Sequence, residues 1–122
     1  MDISIAIPVY QAEKSIAQVI DSLQNLSYLK SKKWELILVD DFSQDSSFEI
    51  ICQKAQEYSN IIGISLHKNV GQHAATFVAL KEAKGKYLLT MDDDGEHPID
   101  QIEVLMQTME KTKVDVVYLE NF

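Results

Sequence analysis

Two runs of acidic residues have the type and spacing to do chemistry: Asp40-Asp41 and Asp92-Asp93-Asp94. Carboxylates are hard oxygen donors, the ligands that Mg²⁺ and Mn²⁺ favour, and those cations also hold substrate phosphates. Three adjacent carboxylates repel one another, and a single residue suffices to cap a helix. Alternate residues such as Asp92 and Asp94 can direct two carboxylates to one centre. A cation held there would neutralise a diphosphate and act on it as a Lewis acid. Aspartate also caps helices and opens turns. That bland role fits Asp45 best, stays open for Asp40-Asp41, and suits the triple run least.

The elements that must position these residues are legible from apolar periodicity. Short β-branched runs predict strands at Ile3–Val9, Trp34–Val39, Ile61–Leu66, Lys86–Met91 and Val114–Leu119. Helical spacing predicts a helix over Lys14 to Leu26, with Ile16, Val19, Ile20, Leu23 and Leu26 inward. A second is expected from Ser47 to about Tyr58, capped by Asp45 or Ser46, with Phe48, Ile51, Cys52 and Ala55 inward. A third is expected over Gln72–Ala83, closed by Gly85 at C′. Pro98 suits the first turn of a fourth, with Ile99, Ile102, Leu105, Met106 and Met109 on one face. Lys30–Lys33 reads as a solvated connector. The alternation predicts one α/β domain: an open, mainly parallel sheet with helices on both faces and right-handed crossovers. In such sheets ligands bind beyond the carboxyl ends of the strands. Strand one ends in Pro8-Val9-Tyr10, strand two in Asp40-Asp41 and strand four in Asp92-Asp93-Asp94, so both acidic runs should face one crevice.

Charge narrows the partners. The chain has 122 residues and a formal charge of −8. Its 11 basic residues are all lysine, so nucleic acid is not an expected partner. With no guanidinium to clamp a diphosphate, a divalent cation or residues outside this chain would have to neutralise one. No apolar run approaches a membrane span, and there is no signal-peptide pattern. The single cysteine, Cys52, excludes an internal disulfide, fits a reducing cytosol, and is expected in the core. His67 and His73 read as surface residues, and His97 as a helix-start residue.

The segments SIAIPVYQAEKSI, ELILVDDFSQDSS and NVGQHAATFVALKEAKGKYLLTMDDDGEHP, in this order and spacing, resemble family 2 glycosyltransferases of the GT-A type. Within that family the DDDGEHP run is most similar to the polyprenyl- and dolichol-phosphate sugar transferases. The resemblance covers nearly the whole chain. It implies a Rossmann-like nucleotide-diphospho-sugar transferase fold and an inverting transfer of a sugar from a nucleoside diphosphate to a lipid-phosphate or saccharide acceptor. By position, Pro8 and Tyr10 would border base and ribose, and Asp41 with Asp40 would contact the base. Gly71 would let the backbone approach the nucleotide, and Asp92 and Asp93 would face it. Asp92 and Asp94 form the D-x-D pair for Mg²⁺ or Mn²⁺. Glu96 matches a further metal-coordinating position, against the alternative of a solvated loop acid. Ala12 stands where many members carry a nucleotide-contacting Glu, and neighbouring Glu13 is the candidate substitute. Gly95 replaces a commoner Leu, and Tyr118 to Phe122 lacks the Gly-Ser-Arg-like continuation. The resemblance further implies that residues 1–122 form the nucleotide-sugar-binding half and that the acceptor half, with the catalytic base or acceptor-holding arginines, lies beyond Phe122. This chain alone is then expected to bind nucleotide weakly and to turn over little. A cytoplasmic location is expected, with any membrane association carried by segments beyond Phe122.

Three other classes are weighed. A metal-dependent nucleotidyltransferase also uses acidic strand ends, but wants a Gly-rich basic loop that this sequence lacks. A non-catalytic α/β interaction module would be indifferent to loss of Asp94. A receiver-like signalling domain wants a phosphoacceptor Asp after strand three and a Lys after strand five, and has neither.

Overall fold

The computed structural model describes residues 1–95, 99–112 and 116–118. Five strands, β1 (Ile3–Val9), β2 (Trp34–Asp40), β3 (Ile61–Ser65), β4 (Tyr87–Thr90) and β5 (Val116–Tyr118), form one sheet in the order β3-β2-β1-β4-β5. Every pairing is parallel, with Ile3 opposite both Trp34 and Tyr87. The helices are α1 (Ile16–Gln24), α2 (Ser27–Lys30), α3 (Ser47–Glu57), α4 (Gln72–Glu82) and α5 (Ile99–Thr112). The periodicity therefore located each element, with ends that coincide or differ by one or two residues where both are described, and the short α2 as an addition; Val114 and Leu119, the expected ends of the fifth strand, lie outside the described residues. Pro98 and His97 lie outside the described residues.

β1 and β2 are buried along their whole lengths, as strands covered on both faces must be. Side chains alternate across the sheet. Ile3, Ile5, Ile7, Leu36, Leu38 and Leu89 pack with α1, α3 and α5 in the larger cluster. Ala6, Ile37 and Val39 meet Ala75 and Ala79 of α4 in the smaller one. The small side chains of Ala6, Ala75 and Ala79 let α4 lie close over the centre of the sheet.

Three expectations fail for physical reasons. Cys52 is exposed; of the apolar residues of α3 only Ile51 is fully buried, with Phe48 and Ala55 half-buried. Gly85 is not a left-handed helix cap. α4 ends on Ala83 in an extended conformation, and glycine is needed because a Cβ at Gly85 would meet Ser4 N at 2.5 Å and Ile3 C at 2.6 Å. The crossovers are not of one hand. α1 and α5 pack on the same face, yet β2 and β5 lie on opposite sides of the strands that precede them. The segment before α5 is drawn to the α1 side, since Ser15 Oγ donates to Asp93 O at 2.7 Å and Gly95 abuts Val19.

Candidate functional site

The chain runs β1-β2-β3 in one direction and then crosses back to β4, so strand order reverses at β1. A cleft of about 450 Å³ opens there, at the carboxyl ends of the strands. It is lined by Pro8, Val9 and Tyr10, Asp41, Asn69, Gly71 and Gln72, and Asp92, Asp93 and Asp94. The topology thus brings four carboxylates into one opening, and among the described residues of its lining there is no lysine, arginine or histidine.

Strand alternation separates the first acidic pair. Asp41 continues the Ile37–Val39 side toward α4, and its carboxylate accepts from Val70 N at 2.8 Å and Gly71 N at 2.9 Å. Those are backbone donors at the start of α4, groups that need a partner outside the helix. Asp40 turns the other way and is buried, outside the cleft lining. Its Oδ2 accepts from Ser43 N at 3.0 Å, and its Oδ1 is buried without a hydrogen-bond partner among the described residues. Gly71 has φ +94°, which an L side chain rarely adopts, and among the described residues nothing lies within 4 Å of where its Cβ would stand. Glycine is required there by backbone conformation, and the space before it is open.

Glu13 is absent from the lining. Its Oε2 accepts from Ser46 N at 3.0 Å, one bond of a seam between the loops after β1 and β2. In the same seam Gln11 N donates to Ser43 Oγ at 2.9 Å, Ala12 N to Ser47 Oγ at 2.8 Å, and Glu13 N to Asp45 Oδ2 at 3.2 Å. Gln11 (φ 51°) and Phe42 (φ 60°) adopt left-handed backbone conformations within it. Such conformations cost about 1–2 kcal/mol each and persist only where surrounding bonds enforce them. Asp45 serves as the helix-start acceptor, taking Ser47 N at 2.9 Å.

The triple run forms the opposite wall. Asp92 Oδ1 accepts from Gln72 Nε2 at 3.0 Å. Asp93 Oδ2 accepts from Tyr10 N at 2.8 Å, tying this wall to the end of β1. Burial holds the Asp93 carboxyl above its ordinary range; the Tyr10 N–H pulls it down, and the charges of Asp94 and Asp92 push it up. A positive charge in the cleft would relieve that crowding. Asn69 and Gln72 were not singled out by sequence reasoning. Asn69 Nδ2 donates to Asp41 O at 3.2 Å, and the signal available was their place beside Gly71 in the N-x-G segment. Glu96 lies outside the described residues.

The donor chemistry of the lining fits a hard divalent cation. Among the described residues no three His, Cys, Asp or Glu side chains gather into a ready cage. Mg²⁺ is commonly held by one or two carboxylates plus substrate phosphates, which Asp92 and Asp94 at an open cleft satisfy in kind.

A parallel sheet with its cleft at the reversal of strand order defines the Rossmann-like α/β class of domain. Within that class, the chain belongs to glycosyl transferase family 2, which it matches over residues 4–122. An undecaprenyl-phosphate 4-deoxy-4-formamido-L-arabinose transferase from Salmonella choleraesuis (strain SC-B67) is 37% identical over 105 residues, 85% of this chain and 32% of that protein. The enzyme of the same name from Photorhabdus laumondii is 36% identical over 110 residues, 89% and 34% of the two chains. This chain therefore spans about a third of the length of these relatives. Among solved structures, S. aureus TarS 1–349 in complex with UDP-GlcNAc superposes with a TM-score of 0.72 at 27% identity, covering 91% of this chain and 32% of that one. Mannosyltransferase PcManGT from Pyrobaculum calidifontis, in complex with GDP-Man and Mn²⁺, shares the fold with a TM-score of 0.77 at 19% identity, covering 88% of this chain and 32% of that one.

Proposed function

We propose that the chain forms the donor side of a glycosyltransferase that moves a sugar from a nucleoside diphosphate to a polyprenyl-phosphate acceptor. The convergence of Asp41 with Asp92–Asp94 on one cleft at the switch point carries this reading. The names of the relatives support the acceptor class.

Each residue has a task that its chemistry supports. Pro8 and Tyr10 form a wall for base and ribose. Asp41 holds the Val70–Gly71 turn, and a carboxylate with about four lone-pair sites has capacity left for a base N–H. The open space before Gly71 admits a ligand close to the main chain. Asp92 and Asp94 would hold Mg²⁺ or Mn²⁺, which when bound stabilises the departing diphosphate as a Lewis acid. An acceptor phosphate is already anionic, so attack on the anomeric carbon needs no proton removed by a residue of this chain.

Calorimetry with UDP-, GDP- and dTDP-sugars, each with and without Mn²⁺, tests the reading. Binding of one sugar nucleotide that depends on Mn²⁺ and is lost in Asp94→Ala is expected. Preference for a nucleoside triphosphate, or binding indifferent to Mn²⁺, would refute it.

A further inference from the structure

We propose that Gln72 is a positioning residue that sets the Asp92 carboxylate for its cation. The inference rests on the reading of Asp92 as a cation ligand and adds the group that acts through it. Gln72 is the first residue of α4, next to the turn that Asp41 holds by Val70 N and Gly71 N. Its main chain is fixed further by Thr76 Oγ1, which donates to Gln72 O at 2.8 Å. From this anchored start the side chain crosses to the opposite wall, where Nε2 donates to Asp92 Oδ1 at 3.0 Å.

That bond answers a specific electrostatic problem. Asp92 is followed directly by Asp93 and Asp94, and mutual repulsion favours turning its carboxylate away from them. A neutral N–H donor holds the group in place without adding a positive charge that would compete with a cation. The amide occupies one of the several acceptor sites that a carboxylate has. Among the described residues of the cleft lining, Asn69 and Gln72 carry the side-chain N–H groups. Asn69 spends its amide on the Asp41 carbonyl at 3.2 Å, so Gln72 is the one directed at the acidic run. Hydrogen bonds that orient metal-binding carboxylates in this way commonly contribute 10–100-fold in metal affinity.

The test uses Gln72→Ala and Gln72→Met, the second keeping the length of the side chain without the donor. Mn²⁺ alone is titrated into each, followed by UDP and GDP in the presence of Mn²⁺. Both variants should lose about tenfold or more in Mn²⁺ affinity. Their cation-free melting temperatures should not move, because Gln72 is exposed. Mn²⁺ affinities in both variants within about twofold of the unaltered chain would overturn the role, given the loss such bonds ordinarily carry. Tighter Mn²⁺ binding would also overturn it, marking the amide as a competitor. The two proposals fail separately. If the unaltered chain takes Mn²⁺ but no nucleoside diphosphate, the donor reading falls, while a tenfold loss in the variants still upholds Gln72. If the unaltered chain takes no Mn²⁺, the role of Gln72 falls.

Discussion

At the scale of single residues, two neighbouring aspartates have different jobs because a strand alternates. Asp41 supports both the start of α4 and one wall of the cleft, whereas Asp40 braces the turn at Ser43. Asp41→Ala leaves two backbone N–H groups without their charged acceptor. It should cost about 2–3 kcal/mol in urea unfolding and abolish nucleoside-diphosphate binding under conditions where the variant is folded. Asp41→Asn retains one acceptor oxygen and should fall between. The sequence made the acidic pair visible, but not the exact strand end, which decides the facing of each residue. It also could not reveal Glu13's partner. Ser46 is distant in the chain, and only the paired arrangement of β1 and β2 brings the two loops together. Cys52 was misjudged because position on a helix outweighs the average burial of a residue type.

At the scale of elements, apolar spacing was enough to place the strands and the longer helices, since the strands are short apolar runs and α1, α3 and α5 carry apolar stripes, whereas α4 buries only Ala75 and Ala79. What it could not supply was distance between elements. Gly85 illustrates this. The sequence offered a helix terminator, whereas the fold needs a residue without a side chain where the approach to β4 passes β1. Close by, Ser4 Oγ donates to the buried Glu35 Oε2 at 2.5 Å, Lys84 N donates to the same oxygen at 2.7 Å, and Gly85 N donates to Ser4 Oγ at 2.7 Å. Gly85→Ala forces a methyl against main-chain atoms of β1. A loss of about 1–3 kcal/mol is expected in urea unfolding, the usual cost of overpacking. This cluster sits at the amino end of the sheet, so ligand affinity of the folded variant should match that of the unaltered chain by calorimetry. A loss of affinity would show that the two ends of the sheet are coupled.

At the scale of the whole molecule, the sheet divides labour between its edges, with packing and main-chain bracing at the amino edge and the acidic cleft at the carboxyl edge. That both acidic runs share one crevice was legible once alternation predicted a parallel sheet, whereas the reversal of strand order at β1 comes from the structure. The hand of the last crossover was not legible either, since it depends on Ser15 and Val19 drawing the Asp93–Gly95 segment toward α1. The seam between the loops after β1 and β2 has a kinetic consequence. Loop amides ordinarily trade their hydrogens with water through cheap local openings, but those of Gln11, Ala12, Glu13 and Ser46 are each bonded across the seam. In deuterated buffer these four should exchange together and slowly, at a rate set by separation of the two loops. Independent, rapid exchange at these positions would show that the rim moves as two separate pieces.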